Sequence, residues 1–312
     1  DNGKEFNMAL KAEAGSAAGT FRYYAEALDK IYGEVAPTAP DVLGLVHHAP
    51  VGVVGAIVPW NFPLMIGAWK LAPALAMGNS VVLKPAETAS LSLLRLAEIC
   101  AEAGLPDGVL NVVTGQGSVT GEALAMSMDV DVLVFTGSGG VGRRLLEYSA
   151  RSNLKRVYLE LGGKSPNIVF TDAPDLAKAA KVLAMGIFRN SGQVCVAGSR
   201  LLVERSVHND FVALMAAEAE KLKVGDPLDL ETQIGAVNSI PQLEGNLGFV
   251  EKALAEGAEA VTGGGRILQE TGGYYMAPTI LTGVERGHNV FQNEVFGPVL
   301  SVTAFDSDDE AV

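Results

Sequence analysis

The chain has 312 residues, enough for two domains with well-buried cores. Hydrophobic residues make up 48% and charged residues 19%, which excludes a disordered tail or linker. The net charge of −13 argues against a nucleic-acid partner, because Arg143-Arg144 and Lys155-Arg156 are isolated pairs on solvated faces and no basic stripe offsets the acid.

The apolar stretches 51–59 and 179–188 are too short and interrupted to span a bilayer, so no membrane role is expected. Two cysteines, Cys100 and Cys195, point to a reducing, cytoplasmic setting without a disulfide framework. The sequence starts at Asp1 rather than Met, and residues 307–312 read as a helix start with no helix behind it. A fragment of a longer protein is expected.

An opening helix is predicted over 8–32, then a Pro-punctuated extended segment over 37–50. Short apolar, β-branched runs follow at 53–58, 81–83, 110–113, 132–135 and 156–161. Helical patterns over 91–103, 120–126 and 141–149 lie among them. Near-continuous apolar strands alternating with helices predict a parallel sheet covered on both faces, an α/β fold. The rhythm breaks at Leu161-Gly162-Gly163-Lys164, where a domain hinge is expected near 161–163. A second unit follows: strand 167–170, helix 176–188, strand 200–203, helix 209–223, and strands near 260–262, 277–281 and 299–305.

Three segments carry chemistry. Phe135-Thr-Gly-Ser-Gly-Gly-Val-Gly142 follows a strand and opens a helix, and Gly137, Gly139 and Gly142 match G-x-G-x-x-G. Such a turn lets backbone approach a pyrophosphate at a helix N-terminus, although a Gly-rich turn is also a common structural device. The fingerprint would make Glu160 the ribose-binding acid, whereas its place beside Gly162-Gly163 at a domain junction suits chemistry in a cleft.

In Gly192-Gln-Val-Cys195-Val-Ala-Gly198 the cysteine sits in a loop between glycines, where a nucleophilic thiolate is accessible; Cys100 lies in a helix and reads as a small core hydrophobe. Asn61, between Pro59 and Pro63, is a rigidly held amide able to donate to an oxyanion, or a plain turn residue. Lys84 and Glu87 end a parallel strand on its ligand-binding edge, or form a solvated pair.

Together these blocks resemble the NAD(P)-dependent aldehyde dehydrogenase superfamily. The matching segments are Pro59-Trp-Asn-Phe-Pro63, Lys84-Pro-Ala-Glu87, Phe135-Thr-Gly-Ser138, Leu159-Glu-Leu-Gly-Gly-Lys164, Gly192-Gln-Val-Cys195 and Glu294-Val-Phe-Gly-Pro298, in the family's order across nearly the whole chain. The resemblance implies that family's fold: a parallel-sheet dinucleotide-binding domain (1–161, with 38–50 in an oligomerisation arm) and an α/β catalytic domain (162–312) incomplete at its C-terminal end.

It implies Cys195 as nucleophile, Glu160 as the base that activates the deacylating water, and Asn61 with the Cys195 backbone N–H as the oxyanion hole. Cofactor contacts are implied at Val58, Trp60, Lys84, Glu87, Gly117, Phe135, Gly137, Ser138, Val141, Leu161, Gly162, Glu294 and Phe296. NAD is expected rather than NADP, the partner is a small-molecule aldehyde, and no metal is expected. A homodimer or homotetramer is expected of the full-length protein.

Gly139-Gly140 departs from the Thr that many relatives carry after the motif serine, which implies a looser pyrophosphate loop. Residues 24–36 and Gly198-Ser-Arg-Leu-Leu202 look most like the branch oxidising γ-glutamylaminobutyraldehyde. Phe62, Trp69 and Arg189 are the implied substrate contacts: Arg189 stands where relatives acting on succinic semialdehyde place an arginine, and Trp69 where their second arginine falls. Two competing classes are weighed against this reading. A cysteine acyl hydrolase would form no NADH, and a non-catalytic relative would have lost Cys195, Glu160 or Asn61, all of which are present.

Overall fold

A computed structural model describes all 312 residues. The chain forms two compact units, Leu10–Leu161 and Gly162–Val312, and Asp1–Ala9 joins the second. The first nine residues therefore depart from the expected 1–161 grouping. The Phe6 N–H bonds to the Pro227 carbonyl at 2.8 Å and Asn7 Nδ2 to the Leu230 carbonyl at 2.6 Å. These bonds tie the segment to the second unit.

In the first unit a π-helical stretch, Ala9–Gly15, leads into α1 (Ser16–Ala27) and a 3-10 turn, Leu28–Lys30. The expected helix thus ends two residues early. Strands β1 (Glu34–Ala36) and β2 (Gly44–Val46) pair antiparallel as a separate two-stranded ribbon, so the extended segment expected at 37–50 shares its pairing with residues before it.

The parallel sheet comprises β3 (Val53–Ile57), β4 (Ser80–Lys84), β5 (Leu110–Val112), β6 (Val132–Gly137) and β7 (Arg156–Leu161), in the order β5-β4-β3-β6-β7. Numbered within the unit this is 3-2-1-4-5, the doubly wound order whose ligand crevice lies where the sequence of strands reverses, between β3 and β6.

The crossovers are α2 (Pro63–Ala76), α3 (Leu91–Glu102), α4 (Glu122–Met126) and α5 (Gly139–Arg151). The helix expected over 120–126 begins as a π-helical turn, Gly117–Gly121. The packing is tight: a Cβ on Gly67 in α2 would lie 2.5 Å from Leu93 of α3. Asn79 ties the entry of β3 to the end of α2. Its Oδ1 accepts from the Val51 and Gly52 N–H groups, and its Nδ2 donates to the Ala74 carbonyl. Ile57, Leu133, Phe135 and Leu145 form the core of this unit.

The second unit has strands β8 (Pro166–Val169), β9 (Arg200–Glu204), β10 (Glu259–Thr262), β13 (Thr279–Thr282) and β14 (Val299–Phe305), in the order β10-β13-β14-β9-β8. Only the β10–β13 pair is antiparallel. Two short strands, β11 (Arg266–Ile267) and β12 (Tyr275–Met276), form a ribbon. Helices α6 (Leu176–Phe188), α7 (His208–Glu220), α8 (Ile240–Ala255), α9 (Asn289–Gln292) and α10 (Asp308–Ala311) complete it. Leu243 and Val250 of α8 pack with Val290, Val295 and Val299 in its core. No helix is long and apolar enough to cross a membrane.

Candidate active site

In the first unit the candidate residues gather at one place, the carboxyl edge of the parallel sheet. Val58, Trp60, Asn61 and Phe62 follow β3. Lys84 ends β4 and Glu87 follows it, Gly117 follows β5, Gly137 ends β6 and Ser138 follows it, and Glu160 and Leu161 end β7. The edge is polar and partly dry: Asn61 is buried, and Lys84 ends β4 buried with its Nζ 3.4 Å from Glu87 Oε1. The same oxygen accepts the Gly117 N–H at 2.5 Å. Burial pushes the Glu87 carboxyl up, but backbone N–H donors from Glu87 itself and Gly117, with Lys84, outweigh it and hold the carboxyl below its ordinary value.

Glu87 and Glu160 follow different strands of the sheet. In a doubly wound sheet the ribose acid ends the second strand, and here that strand is β4, followed by Glu87. Glu160 ends the fifth. The glycine fingerprint likewise follows the fourth strand, β6, and not the first. Its glycines divide their roles: a Cβ at Gly142 would lie 2.9 Å from Leu161, so this residue permits close packing of α5 on β7, while Gly140 faces open space. Ser138 caps α5, its Oγ accepting the Val141 N–H at 3.4 Å, which leaves a helix N-terminus at the reversal point of the sheet. Phe135 is buried in the core beneath.

Glu160 is exposed and lines a concavity of about 760 Å³ over the sheet with Trp69, Lys70, Val134 and Tyr158. Trp69 is half exposed, whereas Phe62 is buried at the start of α2. Burial lowers the Lys70 ammonium to a pKa of about 8, and the Glu160 carboxylate opposes that shift. Lys70 went unremarked in the sequence; an ammonium one residue after Trp69 on a helix carries no motif, and only the fold brings it to Glu160.

Cys195 of the second unit lies in the loop between α6 and β9 and Cys100 of the first lies on α3; both are partly exposed, so Cys100 is not the core residue expected, although partial burial pushes its thiol up. The loop is unusual in its backbone. Asn190, Ser191 and Gly192 have φ of 51°, 55° and 70°, three successive left-handed residues. Such strain persists only where surroundings enforce it. Here Ser191 Oγ donates to the Gly235 carbonyl at 2.7 Å and Gln193 Oε1 accepts the Asn238 N–H at 2.8 Å. Arg189, exposed at the end of α6, opens this loop.

Glu294 and Phe296 lie on a second loop of the same unit, before β14. Glu294 Oε1 accepts the Gly163 N–H at 3.3 Å, and a Cβ at Gly162 would fall 2.0 Å from Oε2, so the glycine pair seats the carboxylate. Burial raises the Glu294 pKa against the pull of Gly163 and Lys164. Lys164 is itself lowered to about 8 by burial and Arg200, with Glu294 opposing. The two loops touch: a Cβ at Gly192 would lie 2.0 Å from the Gly297 carbonyl oxygen.

The sequence profile described as "Aldehyde dehydrogenase family" matches residues 1–312. The chain belongs to the aldehyde dehydrogenase family.

It is 47% identical over 312 residues to the NADP/NAD-dependent aldehyde dehydrogenase PuuC of Escherichia coli (strain K12), covering 100% of this chain and 62% of that protein. Among solved structures it resembles the P. syringae AldA indole-3-acetaldehyde dehydrogenase, a mutant in complex with NAD+ and IAA. The TM-score is 0.97 at 51% identity, over 99% of this chain and 63% of that one. It also resembles the γ-glutamyl-γ-aminobutyraldehyde dehydrogenase from Burkholderia cenocepacia J2315, with a TM-score of 0.97 at 48% identity, over 100% of this chain and 62% of that one. The chain thus spans about three fifths of the length of these relatives.

Proposed function

We propose that the protein to which this chain belongs oxidises an aldehyde to a carboxylic acid with NAD, through a thioester on Cys195. The observation that carries the reading is the convergence of two features in a chain of this family. A polar, ligand-binding sheet edge stands at the reversal of a 3-2-1-4-5 sheet, and a partly exposed cysteine stands on a strained, doubly anchored loop.

The residues fit a dinucleotide. Ser138 at the N-terminus of α5 suits a pyrophosphate, with Phe135, Gly137 and Val141 shaping that turn. Lys84 and Glu87 suit the adenosine ribose, with Val58, Trp60 and Gly117 around them. Glu294 and Phe296, with Leu161 and Gly162, suit the nicotinamide ribose. When bound, NAD accepts the hydride. NAD is preferred over NADP because Glu87 accepts hydrogen bonds from a ribose 2′-hydroxyl and repels a 2′-phosphate; a relative named as NADP/NAD-dependent fits a preference rather than exclusion.

In the proposed reaction Cys195 attacks the aldehyde carbon as thiolate, and Asn61 with the Cys195 backbone N–H holds the oxyanion. Loss of hydride from the adduct leaves a thioester. Glu160 takes a proton from water, the resulting hydroxide attacks the thioester carbon, and the Cys195 thiolate leaves with the acid released. The first unit serves as the NAD-binding domain and the second as the catalytic domain. We further infer a cytoplasmic protein, a homodimer or homotetramer in which residues 38–50 belong to the oligomerisation arm.

For substrate, the reading favours aldehydes with a distal carboxylate, such as γ-glutamylaminobutyraldehyde, with Phe62 and Trp69 along the chain. Arg189 is exposed six residues before the nucleophile, and similarity to a γ-glutamyl-γ-aminobutyraldehyde dehydrogenase supports it. A charge-assisted hydrogen bond contributes roughly 1.5–3 kcal/mol, and with Trp69 in place of a second arginine the gain lies at the low end, about tenfold.

The test follows NADH absorbance with the full-length protein on hexanal and on a carboxylated aldehyde of similar length. NADH formation that requires Cys195 supports the activity, and ester hydrolysis without NADH contradicts it. Arg189→Met is expected to lower kcat/KM about tenfold on the carboxylated aldehyde alone; equal effects on both substrates remove Arg189 from the substrate site.

A further inference from the structure

Helix α8 carries a feature that the proposed chemistry does not use. Asn246 lies on its inner face with 0% exposure, among Leu243, Val250 and Val295. A buried amide is costly without partners, and an apolar side chain would suit these neighbours better. With its amide oriented to suit its neighbours, Asn246 Nδ2 donates to the Val295 carbonyl at 3.0 Å and to the Gln242 carbonyl at 3.1 Å. Gln242 Nε2, one turn earlier, donates to the Val295 and Phe296 carbonyl oxygens, each at 3.2 Å. The other side of the Asn246 amide abuts the next residue of that loop, since a Cβ at Gly297 would lie 2.4 Å from Asn246 Cγ.

These contacts fall on a strained segment. Phe296 is a non-glycine residue with φ of 56°. A left-handed phenylalanine costs on the order of 1–3 kcal/mol and persists only where neighbouring groups over-determine it. The amide pair meets the carbonyls on both sides of the Phe296 Cα, and Asn246 fills the space that glycine leaves at 297. Glu294 immediately precedes Val295, its carboxylate seated on Gly162 and Gly163. By contrast, the nucleophile loop has its own anchors, from Ser191 to Gly235 and from Gln193 to Asn238.

We propose that Asn246 is a positioning residue: by donating to the Val295 carbonyl and filling the space at Gly297, it fixes the 294–297 loop and presents Glu294 and Phe296 to the cofactor. The inference rests on the reading of Glu294 as a nicotinamide-ribose contact. Asn246 touches no reacting atom and acts through the loop. Its removal therefore changes cofactor binding and leaves the thiol chemistry in place.

The experiment uses the full-length enzyme with Asn246→Leu, and Asn246→Ala where the leucine variant does not accumulate. Kd and KM for NAD, the alkylation rate of Cys195 without cofactor, cofactor-independent ester hydrolysis and thermal stability are measured. The proposal expects Kd and KM for NAD to rise about tenfold, the order of one lost buried hydrogen bond on that loop. Alkylation and ester hydrolysis are expected to stay within about twofold of wild type. Glu294→Gln runs beside it. Weaker NAD binding in Glu294→Gln but not in the Asn246 variants overturns the positioning role alone. Unchanged NAD binding in Glu294→Gln overturns the ribose reading beneath it. A parallel fall of NAD affinity, ester hydrolysis and stability makes Asn246 an ordinary core residue and also overturns the proposal.

Discussion

Gly192→Ala tests whether the nucleophile loop is held as the geometry says. The residue has φ of +70°, which an alanine adopts at a cost of about 1–2 kcal/mol. Its Cβ would lie 2.0 Å from the Gly297 oxygen, 2.2 Å from the Gly297 carbon and 2.6 Å from the Pro298 nitrogen. All three are backbone atoms, so no side chain can swing aside, and one loop must retreat by about 1 Å. Overpacking of that kind costs about 1–3 kcal/mol, giving roughly 2–5 kcal/mol in total.

Both tryptophans, Trp60 and Trp69, are in the first unit, so the second unit is best followed by far-ultraviolet circular dichroism in urea. The variant should lose stability in that signal, and Cys195, three residues on, should alkylate at an altered rate. Gly186→Ala is the control. It lies inside α6 with nothing within 4 Å of its Cβ and should be neutral or stabilising by about 0.5–1 kcal/mol. Wild-type stability and thiol reactivity in Gly192→Ala would refute the reasoning.

Two further outcomes follow from the charges. Burial holds Lys70 near a pKa of about 8 against an ordinary 10.5, so its folded-state penalty is complete below about pH 8 and fades as pH rises toward 10.5. Lys70→Met should therefore raise the urea midpoint of tryptophan fluorescence at pH 7 and lose that advantage by about pH 10; a gain that does not shrink with pH would point to packing alone. Glu87→Gln should narrow the preference for NAD over NADP by weakening the first and easing the second, seen as converging kcat/KM values. A uniform loss with both cofactors would place Glu87 outside the ribose site.

The parallel sheet was legible because its strands are apolar on both faces and punctuated by helical patterns. The helices that escaped notice explain the limit of such reading. Helix α2 is apolar nearly all round and carries Pro73 inside it, so it shows no amphipathic stripe; it starts with Pro63 at its first turn, where the missing N–H is harmless. Helix α8 holds Pro241, Gly245 and Gly248, which dilute a helical pattern that packing against Val290 and Val295 supports.

At the site, motif residues such as Cys195, Asn61 and Lys84 stood out by chemistry and spacing. Glycine spacing alone left Glu160 with two readings, and the resemblance favoured the base; strand order was not legible, and it puts Glu87 rather than Glu160 after the second strand. Asn246 and Gln242 were invisible for a similar reason. Their partners are main-chain carbonyls about fifty residues away, and main-chain carbonyls carry no residue identity.

The most direct test of the central claim is intact-mass and peptide mapping of full-length Glu160→Gln after mixing with NAD and aldehyde. The account predicts about one equivalent of NADH and an acyl group retained on Cys195, absent when NAD is omitted and absent in Cys195→Ala. An acyl group on Cys100, or sustained NADH formation with Cys195 unmodified and replaceable, would contradict it.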